Sequence, residues 1–235
     1  VPVAMAAGRG TIGRLQTAVH RYAEPMENVT WSEPADRRRG RELVVLLHGY
    51  GSGEQAMERL FTALPASAVG AAVRGPLDVG GTSGWFLLDP LLNSDTSEVL
   101  ESALRLLAWL DRIRAEEEFT GISLVGFSQG MAMAGTLLRL RPRDFRAVVG
   151  LSGWIARNEL LAAAEPLPAR VPFFWGRDRQ DWVINADAVA YTREWLEENA
   201  ALTARTYSGM GHTIGAGEVS DVAVFLRRYL AFDTP

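Results

Sequence analysis

The sequence predicts an α/β fold, with a mostly parallel central sheet and helices on both of its faces. Two observations predict it. Short continuous apolar runs recur along the chain, as strands buried on both faces require. Longer stretches with apolar residues at helical spacing lie between those runs, which is the alternation of parallel β-α units.

The elements follow in order. Residues 1–40 form a leader with one or two short edge strands around 29–31, and residues 41–235 a single domain. Strands are expected at 43–47, 68–73, 122–125, 147–151 and 171–175, with a weaker sixth at 202–207. Helix 97–117 carries Val99, Leu100, Leu104, Leu107, Leu110 and Ile113 on one face. Helix 129–140 is small and apolar throughout, as suits packing deep against a sheet, and 186–198 and 219–230 are amphipathic. Residues 74–96 break the rhythm with Gly75-Pro76, Gly80-Gly81 and Asp89-Pro90 around Trp85-Phe86. A structureless connection of that length is uncommon unless it builds a binding site.

Composition excludes several classes of function. The 235 residues carry 24 basic and 28 acidic side chains, a net charge of −4, without the basic face of a nucleic-acid binder. The cluster Arg37-Arg38-Arg39 with Arg41 reads as a solvated loop. With no cysteine there is no disulfide, thiolate zinc site or cysteine nucleophile, and 3 histidines supply a histidine-rich metal site poorly. No apolar run reaches the ~18 residues of a membrane span. Residues 1–8 lack the basic start of a signal peptide. A cytoplasmic protein without cofactor, metal, nucleic-acid partner or stable membrane insertion is expected; oligomeric state is not written in the sequence.

Gly126-Phe127-Ser128-Gln129-Gly130 matches G-x-S-x-G, at the end of one expected strand and the start of the next helix. That is the setting of a nucleophile elbow, and it points to the α/β-hydrolase fold. A serine hydroxyl needs a base. The chain order of this fold is serine, acid, histidine, and His212 is the only histidine after Ser128, in a glycine-rich loop after the sixth strand. The acid comes from the segment after strand 171–175. Asp181 is favoured, because Trp182, Val183 and Ile184 would bury it. Asp178, between Arg177 and Arg179, reads as solvated and salt-bridged, and Asp144 comes too early. An oxyanion hole needs two backbone N–H donors. Gln129 supplies one, and Tyr50 of Leu47-His48-Gly49-Tyr50-Gly51 the other, with His48 propping the loop.

Those motifs, with Trp85-Phe86, Asp181 before Val183-Ile184, and Gly211-His212, resemble the phospholipase/carboxylesterase family from residue 43 onward. The resemblance implies a nearly lidless hydrolase without a cofactor. Its substrates would be small short- to medium-chain acyl esters or thioesters. It also implies that Trp85 and Phe86 border the acyl groove, where Trp182 and Met210 are placed as further substrate contacts; Trp154 is a further candidate to narrow it. Two departures stand out: Ser52-Gly53-Glu54 follows H-G-x-G, and the acid segment runs long, from Gly176 to Asp181.

Two other readings remain open. Gly51 to Ala56 fits the dinucleotide fingerprint G-x-G-x-x-A, with Arg74 for a 2′-phosphate, which would make the chain an oxidoreductase. A hydrolase fold that only binds ligands is the other. Neither accounts for serine, acid and histidine in order.

Overall fold

Seven strands form the central sheet in the order β1-β3-β2-β6-β7-β8-β9. The structure, a computed structural model, describes Met26, residues 28–89, Leu92 and residues 96–230. Most of the expected leader, residues 1–25, lies outside the described residues.

The elements are β1 (Val29–Trp31), β2 (Glu42–Leu47), β3 (Ala68–Val73), β4 (Leu77–Val79), β5 (Thr82–Gly84), α1 (Thr96–Glu117), β6 (Gly121–Phe127) and α2 (Gln129–Leu140). They continue with β7 (Phe145–Leu151), α3 (Glu159–Ala162), β8 (Val171–Asp178), α4 (Ala186–Asn199), β9 (Ala200–Tyr207) and α5 (Ala216–Leu230). All pairs within the main sheet are parallel except the edge pair β1–β3.

Alternation along β2 divides the core. Leu43, Val45 and Leu47 face a layer containing Leu106 of α1, Met131 of α2 and Leu196 of α4. Val44 and Leu46 face Met57 and Leu60 of the 3-10 segment Glu54–Ala63, together with Phe225 and Leu226 of α5. Every β2 residue is buried. A strand enclosed on both sides reads as an unbroken apolar run for this reason. β9 sits at the sheet's open edge with most residues part-exposed, so its apolar signal is the weaker one.

Three expectations need correction. Residues 74–96 are not structureless, because β4 and β5 form an antiparallel hairpin. Gly80 and Gly81 both have positive φ, 59° and 89°, as a tight two-residue hairpin turn demands. Ser83 and Ser52 then bridge the hairpin to the loop after β2 through N–H···O bonds of 3.2 and 2.7 Å. α5 begins at Ala216 and not at residue 219, since Glu218 of its first turn is buried despite its charge. The residues after Gly53 form a 3-10 stretch, where the dinucleotide reading needs an α-helix.

Parallel pairing puts the strand ends level: Leu47 is opposite both Val73 and Gly126, and Leu151 is opposite both Phe127 and Gly176. The loops leaving β2, β6, β7, β8 and β9 therefore emerge on one edge, the usual location of a site in such sheets.

Candidate active site

Ser128 occupies the step from β6 to α2 with φ 53° and ψ −117°. L-residues avoid that region, and holding one there costs roughly 1–3 kcal/mol. The flanking glycines make the step possible. A Cβ at Gly126 would strike the Gly130 carbonyl, and one at Gly130 would strike the Leu47 carbonyl. The Ser128 N–H donates to Leu151 O at 2.8 Å, tying the turn to β7.

Residues from three loops converge on this serine. His212 Nε2 lies 3.0 Å from Ser128 Oγ, and His212 Nδ1 lies 2.9 Å from Asp181 Oδ2. Asp181 Oδ1 accepts the Val183 N–H at 2.9 Å. Burial alone would raise the Asp181 pKa, but the bonds from His212, Val183 and Ile184 outweigh it and hold the carboxyl below its ordinary value. An ionised Asp181 can only accept, so Nδ1 carries the imidazole proton and Nε2 faces the hydroxyl as an acceptor. The Phe127 ring packs against the imidazole at 5.2 Å between centroids. The arrangement can draw a proton from a serine oxygen and stabilise the resulting imidazolium.

Asp178 is buried and not solvated. Its Oδ1 accepts the Gln180 N–H at 2.7 Å and its Oδ2 the Met210 N–H at 2.6 Å. The Gln180 amide first, against the opposing effect of burial, and then the Met210 and Gly211 amides lower its pKa. Asp178 thus holds the loop that delivers His212, and only Asp181 of the pair touches the imidazole. Its place as the last residue of β8 was the available signal, masked in the sequence by its arginine neighbours.

The loop after β2 crosses the serine closely. A Cβ at Gly49 would stand 3.4 Å from Ser128 Cβ, and Tyr50 follows at once. His48 is fully buried, and burial lowers its pKa and keeps it neutral. Its Nε2 accepts the Gly75 N–H at 2.9 Å while Nδ1 donates to Gly49 O at 2.7 Å. The Gln129 side chain is buried too: Oε1 accepts the Trp85 N–H at 2.9 Å and Nε2 donates to Phe86 O at 2.7 Å. The Gln129 N–H opens α2, where an amide has no intrahelical partner.

The aromatic expectations divide. Trp85 and Phe86 do not line a groove, because both are fully buried. Trp85 Nε1 donates to His48 O at 2.9 Å, which makes this pair an anchor beneath the loop. Trp182 is 80% exposed and does not bury Asp181; it lies over Gly211, where a Cβ would sit 2.9 Å from its ring. Met210 is part-exposed in the same loop. Leu87 and Val183 add exposed apolar surface.

In the dinucleotide reading Arg74 would await a 2′-phosphate, yet it pairs with Glu54 at 3.6 Å, and Glu54 occupies the turn where a pyrophosphate would rest.

Comparison with known proteins finds the same fold. A carboxylesterase from Bacillus cereus superposes with a TM-score of 0.73 at 19% identity, covering 90% of this chain and 98% of its own. Esterase PE8 gives 0.73 at 26% identity over 86% of this chain and 98% of its own. SOBER1 of Arabidopsis thaliana gives 0.70 at 24% over 82% and 100%. No curated protein matches the chain. The family model of phospholipases and carboxylesterases matches residues 33–230. The chain belongs to the phospholipase/carboxylesterase family of α/β-hydrolases.

Proposed function

We propose that this protein is a serine hydrolase cleaving short- to medium-chain carboxylic esters or thioesters through an acyl-enzyme intermediate. The observation that carries this is the line from Ser128 Oγ through His212 to Asp181, with links of 3.0 and 2.9 Å. Family membership and the 26% identity to a named esterase support the same reaction class.

The chemistry follows from the donors and acceptors. Ser128 Oγ attacks the acyl carbonyl as its proton passes to His212 Nε2. Negative charge gathers on the carbonyl oxygen, where the Tyr50 and Gln129 amides stabilise it; one such donor is worth ~2.7–4 kcal/mol. Collapse breaks the bond to the alcohol or thiol, which takes the proton from His212 and leaves. Water then repeats the sequence on the acyl-enzyme, giving the carboxylic acid and restoring Ser128. Asp181 keeps Nδ1 protonated and offsets the imidazolium charge. No step requires a metal or a cofactor.

Trp182 and Met210 border the entrance, and the buried Trp85 and Phe86 support it from behind. No described helix is long and apolar enough to cross a membrane; work on small acyl substrates in the cytoplasm fits this reading. A fluorophosphonate probe should label Ser128 and no other serine, and Ser128→Ala should abolish labelling and ester hydrolysis together. Labelling that survives Ser128→Ala would overturn the proposal. A matched series of esters and thioesters from C2 to C12 then reads the substrate class.

A further inference from the structure

Between the segment after β7 and the start of α4 lies a cavity of about 280 Å³, just under the usual range for a ligand site. Its lining includes Trp154, Ile155 and Ala188, which are buried and apolar, and Arg157, Asp187 and Tyr191, which are not. Both walls continue segments of the active site. Gly153 lies against the elbow, where a Cβ would stand 2.5 Å from Ser128 O, so the Cα of Trp154 is within about 8 Å of that atom. The other wall begins just after Ile184, whose amide bonds Asp181.

Residues 153–158 have no regular structure, yet they are pinned. Thr192 Oγ1 accepts the Ile155 N–H at 2.9 Å. Arg139 has a side chain only 1% exposed, and it donates to Ala156 O at 2.7 Å, Asn158 O at 3.2 Å and Glu165 Oε1 at 2.6 Å. A buried guanidinium spent on two loop carbonyls fixes that loop before any ligand arrives, so little ordering is left for binding to oppose.

Arg157 stands between those two carbonyls. It is exposed, its guanidinium lies 4.3 Å over the Tyr191 ring, and it forms no ion pair with any described residue. Stacking occupies the face of the guanidinium and leaves its planar edge, with N–H donors that no described carboxylate pairs with, suited to a planar bidentate acceptor. Asp187 belongs to the first turn of α4, where the helix favours an acidic residue, and its charge disfavours a dianion in the same cavity.

We propose that this cavity binds a carboxylate carried by the substrate, with Arg157 as its partner and Trp154, Ile155 and Ala188 enclosing the methylenes beside it. Resting on the serine hydrolase reading, this names the preferred substrates as esters or thioesters that bear a free carboxylate on the acyl or the alcohol side.

The test uses the full chain and paired esters differing only in a terminal carboxylate or its methyl amide, in one series on the acyl side and in another on the alcohol side. Wild type should favour the carboxylate member of one series. Arg157→Gln should lower the carboxylate-to-amide ratio of kcat/KM by about tenfold to a hundredfold. Arg157→Lys, which keeps charge without the fork, should lower it less, and Asp187→Asn should raise it. The responding series identifies which half of the substrate enters the cavity. A ratio unmoved by Arg157→Gln in both series, with Ser128 still labelled by fluorophosphonate, overturns the subsite alone. Loss of any Ser128-dependent hydrolysis overturns the hydrolase reading and the subsite with it.

Discussion

The amide of Met210 donates to Asp178 at 2.6 Å, so the loop bearing His212 is held by the neighbouring aspartate and not by the one that faces the imidazole. Two carboxylates on one segment thus have separate duties: Asp181 sets the tautomer, Asp178 the position.

This separation is measurable. Asp181→Asn should lower kcat by about 10⁴, because an amide cannot fix the same tautomer, while KM changes little. Asp178→Asn presents an N–H to amides that need an acceptor, and should displace the loop. Its kcat should fall by about a hundredfold, the usual cost of a misplacement near 1 Å, together with a lower Tm. Equal Tm values for Asp178→Asn and wild type would contradict the assignment.

Ser128 should work against the stability of its own fold. Its φ of 53° is a strain that glycine does not feel. Ser128→Gly should therefore be inactive and more stable in denaturant, by about 1 kcal/mol after the greater chain entropy of glycine is allowed for. A stability equal to or below that of wild type would show that the surrounding turn, and not the residue, sets the strain.

Trp85 and Trp182 should respond in opposite ways. Trp85→Ala removes a fully buried ring and its bond to His48 O, a loss of about 3–5 kcal/mol. Its effect on acyl-chain preference should be slight. Trp182→Ala removes a ring that is 80% exposed, so Tm should stay within error while KM and chain-length preference shift. The C2 to C12 series, run with thermal melts of both variants, distinguishes an anchor from a groove wall.

Glu218 gives the fold a pH dependence. It is buried over Gly176, and desolvation, offset in part by the Gly215 amide and Arg59 and reinforced by Asp221, pushes its pKa up to about 7 from 4.5. A raised carboxyl pKa favours the neutral form in the folded state. The stability this adds is present in full below about pH 4.5 and is lost as pH rises to about 7. Glu218→Gln should remove that slope and gain on wild type between pH 5 and 8 by on the order of 3 kcal/mol. Asp178 and Asp181, with lowered pKa values, give the opposite slope, lost only as pH falls below the ordinary carboxylate range. Denaturant midpoints at pH 5 and pH 8 decide it; parallel curves for the two proteins would refute the role of Glu218.

The sheet was legible because burial on two faces leaves an unbroken mark, as in Leu43 to Leu47. Ser128 and His212 could be singled out by order and strand position, whereas Asp181 was preferred to Asp178 for a burial by its neighbours that only Ile184 provides, Trp182 and Val183 being exposed. The β4–β5 hairpin was hidden because strands such as Leu77–Val79 are too short for periodicity, although Gly80-Gly81 is the dipeptide that such a turn uses. Exposure was misread where chemistry and packing conflict. Asp178 looked solvated beside two arginines yet is buried, and Trp182, expected to cover Asp181, is 80% exposed. Arg157 carries no local pattern at all: its interest comes from a cavity assembled by residues far apart in sequence.

The amides of Gly75, Trp85, Val183 and Met210 donate to the side chains of His48, Gln129, Asp181 and Asp178. Each therefore exchanges with deuterated solvent only when one particular side chain lets go. Amide exchange at these positions reports, without any substrate, which support of the pocket opens first.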